Sequence, residues 1–294
     1  MIELKQISLA SPAPHRSVSQ LTTYTRCAEA YRLERVAKAP QRPAAWTVQG
    51  SAFHYAIEEY ELSSRSLSVD ECRELFFTHY DNAINEAKEK EPDLSRWLTG
   101  GNKKAETDIA DRRAKGADQV NIYIDYAQAH NDEWRILQAG PRGVAVELEF
   151  NIQFGGVNVL GFIDQIRHYR DGRIVPTDLK SGTKEPASGF QLAVYAHAIN
   201  ENMGILPDTG AFFMPKLKRD GTLVGDVWKT LTQWNKPLLD VMFQQFDAAE
   251  RAGIYLPNPG DGCRTCGVAE FCRVNGNPDS VARFATITTR PRAS

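Results

Sequence analysis

The spacing of apolar residues along this chain changes once, near its middle. Over residues 18–37 the positions Leu21, Tyr24, Ala28, Tyr31 and Val36 recur at roughly helical intervals, which predicts a helix. Three more helices are predicted over 50–63, 68–91 and 104–136, with the Pro- and Gly-bearing stretch EPDLSRWLTGGNKK (91–104) as a loop. From residue 144 the period shortens. VAVELEFNIQF (144–154), VNVLGFIDQIRHY (157–169) and GRIVPTDLKSG (172–182) are rich in β-branched residues and partly alternating, so they read as strands. Gly155-Gly156 and Asp171-Gly172 supply the turns of an antiparallel meander. A helix from Ser188, a candidate N-cap, to Asn202 comes next. A strand at 210–217, a turn at Arg219-Asp220-Gly221, a strand at 222–228 and a long helix over 230–252 complete the series.

Helices, three strands, helix, two strands, helix: that order predicts an α/β fold, a mixed central sheet flanked by helices. There is no internal repeat and no low-complexity linker. We read residues 1–294 as one domain with a helical insertion at 65–140. If the cysteine motif at 255–275 pairs with Cys27, residues 1–140 cannot be an independent helical domain.

Composition narrows the class. A chain of 294 residues with 42% hydrophobic and 24% charged residues fits a globular protein with a sizeable core. No apolar run approaches a membrane span, and MIELKQISLASPAPHRS lacks the pattern of a secretory leader, so a cytoplasmic protein is expected. The net charge of −2 argues against a basic protein that coats nucleic acid. Any footprint for phosphate must be local, from Arg26, Arg32, Arg35, Lys38 and Arg42, from Lys103, Lys104, Arg112, Arg113 and Lys115, or from Lys216, Lys218 and Arg219. Clusters of this kind are more often solvated faces.

The meander carries the candidate chemistry. Asp164 stands near the end of one strand, and Asp178-Leu179-Lys180 ends its neighbour. Residues i and i+2 of a strand share a face, so Asp178 and Lys180 point together. Two carboxylates meeting across strands form a hard oxygen site suited to Mg2+ or Mn2+, which lowers the pKa of bound water. An adjacent ammonium group stabilises charge building up on a phosphate. A lone Asp-x-Lys is usually only a strand end. Here it is accompanied by His54 on a helix after Gly50, and by Gln191 and Tyr195, four apart on one helical face, where they would grip a DNA backbone or brace the site.

The series Gly50-x-x-x-His54, Gly161-x-x-Asp164, Asp178-x-Lys180 and Gln191-x-x-x-Tyr195 resembles the RecB-family branch of the PD-(D/E)XK nuclease superfamily. The resemblance implies a restriction-endonuclease-like core and a metal-dependent deoxyribonuclease. It makes His54, Asp164, Asp178 and the Leu179 carbonyl metal ligands and Lys180 the catalytic lysine. Gln191 and Tyr195 become a helix motif supporting DNA binding. Glu147 or Glu149 matches a further acid found in some members, and Glu147 is the preferred choice.

The cysteines form a second constellation. Cys263, Cys266 and Cys272 are spaced C-x2-C-x5-C, and Cys27 lies far upstream. Four thiolates suit Zn2+ or an iron–sulfur cluster, and spacing alone leaves both open. The one-plus-three split, with the opening SVSQLTTYTRC, resembles the iron–sulfur subgroup of the same nuclease family, which includes AddB-type nuclease domains and CRISPR-associated exonucleases. That likeness implies a [4Fe–4S] cluster stapling the first helix to the tail, with Zn2+ as the alternative; Ala28 departs from the proline many members carry there. Cys72, in an apolar helical stretch, is expected to be a buried free thiol.

The resemblance spans Ser17 to Cys272 and leaves residues 100–136 and the tail after Cys272 unexplained. No G-K-[ST] loop indicates a helicase fusion. The expected protein is a stand-alone bacterial, archaeal or phage exonuclease acting on single-stranded DNA ends in repair, recombination or CRISPR-related processing, alone or with partner proteins. The alternatives are a non-catalytic nucleic-acid-binding recombination partner that kept the fold, and a zinc-stapled RNA-processing protein.

Overall fold

A computed structural model of the protein describes residues 15–285. Helix α1 (Val18–Arg26) starts at Ser17, whose side chain accepts the Gln20 N–H, and stops at Cys27. The helix expected over 18–37 is therefore broken. Cys27 is extended (φ −165°, ψ 107°) before α2 (Ala28–Tyr31), which runs into a wider turn at Arg32–Val36. The break has a tertiary cause: Glu29 N–H donates to Leu256 O at 3.3 Å, tying this segment to the tail.

Helix α3 (Ala45–Leu62) begins before the expected residue 50, so Gly50 and His54 both lie inside it. Helix α4 (Val69–Lys90) opens on a reciprocal cap between Ser68 and Glu71. Helix α5 (Ala105–Ala129) is shorter than expected. The stretch after it forms strand β1 (Trp134–Ile136), whose three residues are too few to display alternation. Gly116 of α5 faces the Phe76 ring of α4 so closely that a Cβ would sit 2.1 Å from it.

Strands β2 (Val146–Phe154), β3 (Val157–Tyr169) and β4 (Ile174–Leu179) form the antiparallel meander. The turn at Gly155-Gly156 has positive φ at both residues, the conformation that makes glycine useful there. Helix α6 (Phe190–Met203) starts at Gly189 without a side-chain cap, so Ser188 does not serve as one. This helix makes the crossover to β5 (Thr209–Leu217), which runs parallel to β4; β6 (Leu223–Thr230) then returns antiparallel. The long helix expected at 230–252 is α7 (Lys236–Arg251), because Asn235 caps it and the preceding residues finish β6 and its turn. A short helix α8 (Pro278–Arg283) follows the cysteine segment.

The six-stranded sheet has the order β1-β3-β4-β5-β6, with β2 sharing the β1 edge of the long β3. Its two faces are covered differently. At Gly210 of β5 a Cβ would meet Leu192 of α6, whereas Phe213, of opposite parity, packs its ring on Tyr123 of α5. Helices α6 and α7, joined by the Phe190–Phe243 contact, therefore cover one face, and α5 covers the other. Phe76, Tyr80 and Cys72 of α4 belong to the same apolar cluster as Val159, Ile166 and Leu179 of the sheet. The helices of 65–140 thus share the main core.

Candidate metal centre and active site

The carboxylates are aligned by strand register. In the β3–β4 ladder Gln165 pairs with Thr177 and Ile166 with Pro176, and one further step sets Asp164 opposite Asp178. In the β2–β3 ladder Val146 pairs with Gln165 and Leu148 with Ile163, which sets Glu147 opposite Asp164. Glu147, Asp164 and Asp178 thus form a row across three strands, where opposing residues share a face. Ladder pairing is interrupted at this row. Glu147 has φ 45°, a strained value for a residue with a Cβ, and strain of this kind is held where surrounding structure imposes it. Leu179 N–H donates to Asp164 Oδ2 at 2.8 Å.

His54 of α3 closes the group from above the sheet. Its Nε2 lies 2.9 Å from Leu179 O, and its Nδ1 is 3.4 Å from Asp164 Oδ2 and 3.6 Å from Glu147 Oε1. His54, Glu147 and Asp164 each bring one ligand atom within 4.8 Å of the others. Ligand atoms this close suit a shared hard cation such as Mg2+ or Mn2+, while the His54 Nε2–Leu179 O contact is a hydrogen bond. Burial opposes a charged imidazole, but Asp164, Glu147 and Asp178 outweigh it and push His54 up to about 9. Burial, reinforced by Asp164, pushes Asp178 up to about 7 against the pull of Lys180. Asp164 is also raised, first by burial, with His54 acting the other way. A buried carboxylate row of this kind favours a cation among its members.

Lys180 Nζ lies 2.5 Å from Asp178 Oδ2 and donates to Gln191 Oε1 at 3.0 Å. Gln191 Nε2 donates to Tyr195 Oη at 2.8 Å, and Tyr195 Oη lies 3.5 Å from Asp178 Oδ1. The loop of contacts returns to its start. Tyr195 is only 4% exposed and Gln191 is half-buried, and within the protein both side chains contact the Asp178 and Lys180 pair. Phe150, which covers Gly161 across the β2–β3 pair, sets its edge against the Tyr195 ring at 5.9 Å. Of the two glutamates weighed on β2, Glu147 is in the group; Glu149 pairs with Phe162 outside it.

Sequence reasoning missed the support around this centre. A Cβ at Gly50 would lie 3.2 Å from Ser181 Oγ, so the glycine lets α3 approach the segment after Lys180. Gln119 of α5 accepts from Gln49 Nε2 at 2.6 Å and donates to Ser181 O at 2.9 Å. Only the Gly50-x-x-x-His54 spacing hinted at the first contact; nothing local marks Gln119.

The cysteine segments also meet. Asn258 N–H points to Cys27 Sγ at 3.4 Å, Gly260 N–H to Cys263 Sγ at 3.5 Å and Val274 N–H to Cys272 Sγ at 3.5 Å. Cys266 receives the Val268 N–H, although burial is the larger influence and raises its thiol. Backbone donors directed at all four sulfurs suit thiolate ligands. Cys72 differs: fully buried in the main core, its thiol is pushed up to about 11 by burial. Ala30, Leu33, Ala39, Val268 and Phe271 form a small separate apolar cluster behind the clasp. Glu29, wholly buried, pairs with both Arg32 and Arg273.

Among the described residues no helix is long and apolar enough to cross a membrane. Two curated phage proteins are similar along most of their length. Gene 69 protein of Mycobacterium phage D29 is 34% identical over 267 residues, covering 89% of this chain and 97% of its own. Gene 69 protein of Mycobacterium phage L5 is 33% identical over 288 residues, with the same coverage. The family model for the PD-(D/E)XK nuclease superfamily matches residues 15–273, a span that contains the carboxylate row, Lys180 and all four clasp cysteines. The mixed sheet flanked by helices agrees with that family's fold, and the chain belongs to the PD-(D/E)XK nuclease superfamily, which implies a metal-dependent nuclease with DNA as substrate.

Proposed function

We propose that the protein is a metal-dependent DNA exonuclease acting on single-stranded ends. The observation that carries this reading is the row Glu147, Asp164 and Asp178, capped by His54 and flanked by Lys180. Glu147, Asp164, Asp178, His54 and the Leu179 carbonyl are the residues that would hold Mg2+ or Mn2+. Such an ion supplies an acidified water and neutralises phosphate oxygens. Lys180, held by Gln191, orients the attacking water and stabilises negative charge as the water oxygen bonds to phosphorus and the bridging P–O bond breaks. The products are a phosphomonoester and a free hydroxyl.

The exonuclease and single-strand parts rest on the RecB-like motif order. The two phage relatives support phage DNA processing in the host cytoplasm as the setting. For the clasp we propose a [4Fe–4S] cluster on Cys27, Cys263, Cys266 and Cys272. What supports it is the one-plus-three spacing of the four cysteines and the backbone N–H groups directed at their sulfurs.

The test is a time course on end-labelled single and double strands with Mg2+ or Mn2+. Progressive shortening of the single strand from an end is expected. Intact strands under both metals reject the nuclease reading, and internal cuts reject the exonuclease part. Protein purified without oxygen is expected to be coloured and to contain iron; zinc without iron rejects the cluster.

A further inference from the structure

The helical region that the motif resemblance left unexplained carries charge beside the active centre. Gln119 ties α5 to Ser181 O, next to Lys180, and to Pro215 O at 3.4 Å, next to Lys216. Lys115 lies one helical turn before Gln119, on the same side of α5. Arg112, a further turn back, donates to Gln49 Oε1 at 3.2 Å. Lys216 Nζ donates to Thr183 O at 2.8 Å, in the segment that follows Lys180. Two basic clusters far apart in sequence, 103–115 and 216–219, thus converge on the exit of β4.

Lys115 is the telling member. It is half-buried and has no ion-pair partner among the described residues, because Asp108 is engaged by Arg112 and Asp111 by Lys103. Burial and the neighbouring charges of Arg112, Lys216 and Lys103 all disfavour its ammonium form. A cation in that position lacks compensation within the protein, and an anion from outside would supply it. The anion that must pass this point, on the function proposed above, is the phosphate backbone of the substrate strand.

We propose that Lys115 and Lys216, with Arg112 beside them, form a phosphate-binding track on α5 and β5 that holds the DNA strand beyond the scissile bond. The inference rests on the nuclease reading for its ligand, but its test reads binding rather than cleavage. Full-length Asp178→Asn protein with Mg2+ is titrated against a fluorescent oligodeoxythymidylate of about 20 nucleotides at several salt concentrations. Strand integrity is checked on a gel.

The Lys115→Gln, Lys216→Gln double variant is expected to bind about tenfold more weakly. Its slope of log affinity against log salt should fall by about 1.4, two phosphate contacts at about 0.7 each on a single strand. Lys115→Arg should keep the slope. An Arg170→Gln, Arg173→Gln control, at the opposite end of β4, should behave as the parent. Without DNA, Lys115→Gln should melt at the same temperature or higher, because it relieves like-charge repulsion; a purely structural lysine would lower it. An unchanged salt slope, or an equal loss in the control, overturns the track. Failure of the nuclease reading looks different: wild-type protein leaves strands intact under both metals, whatever the binding titration gives.

Discussion

The acidic centre and the cysteine clasp both join residues distant in sequence, yet different forces assemble them. The acidic centre sits on ladders of the central sheet over the main core, and each side chain of the group already has a protein partner. The clasp rests on a five-residue apolar cluster and short helical turns, supplemented by the Glu29, Arg32 and Arg273 ion pairs. So small a cluster contributes little burial, and segments of this kind depend on cross-links or metal ligands for cohesion. One site is organised by the fold; the other, on the cluster proposed above, would organise the tail around it.

Replacing a member of each site should therefore give opposite results. Asp178→Asn is expected to reduce cleavage of end-labelled DNA by about a thousandfold or more without lowering the melting temperature. The carboxyl at 178 is held up at about 7 by burial and by Asp164, so its charge is a cost to the folded state that asparagine removes. A sharp drop in stability would contradict the idea of a preassembled centre. Cys266→Ala should do the reverse to the structure. It should abolish iron binding, lower the melting temperature by about 5 °C or more and expose residues 255–285 to protease. Cys72→Ala should leave iron content unchanged, since that thiol lies in the other core.

A smaller effect distinguishes bracing from DNA contact. Tyr195→Phe removes the hydroxyl that links Gln191 to Asp178 and should lower kcat about tenfold with KM unchanged, as expected for one hydrogen bond in a charged network. A raised KM with normal kcat would return Tyr195 to a DNA-binding role.

The smallest effect concerns Arg16, whose backbone pairs with β3 and whose side chain pairs with Asp247 and Glu250 of α7. Burial opposes it, but hydrogen bonds from Arg251 and Arg16 hold the Asp247 carboxyl below its ordinary value. The unfolded value is about 4. Stabilisation from Asp247 is thus full above that pH and is lost as pH falls through the lower folded value. Melting temperatures from pH 6 to pH 3 should fall less steeply in Asp247→Asn, by a few degrees at most.

Much of the sheet was legible because β2, β3 and β4 are rich in β-branched residues and are separated by turns with positive-φ glycine, although β4 is buried throughout rather than alternating. The errors have tertiary causes. Helix 18–37 breaks at Cys27 because the tail binds that segment, and β1 is a strand only because Tyr169 to Arg167 pair with it. Gln119 was invisible because its partners are the carbonyls of Ser181 and Pro215, brought to it by the fold.

The sequence alone determined the chemistry available: three acids, an imidazole and a lysine in a fixed order, four cysteines split one plus three, and basic clusters at 103–115 and 216–219. Only the tertiary structure decided their relations. Register placed Glu147, rather than Glu149, in line with Asp164 and Asp178; the crossover through α6 buried Tyr195 and set Gln191 against Lys180; and packing of α5 on β5 joined the basic clusters. Residue identity is local, whereas a metal site or a phosphate track depends on distances of a few ångströms between side chains more than a hundred residues apart, which only ladders and packed faces can set.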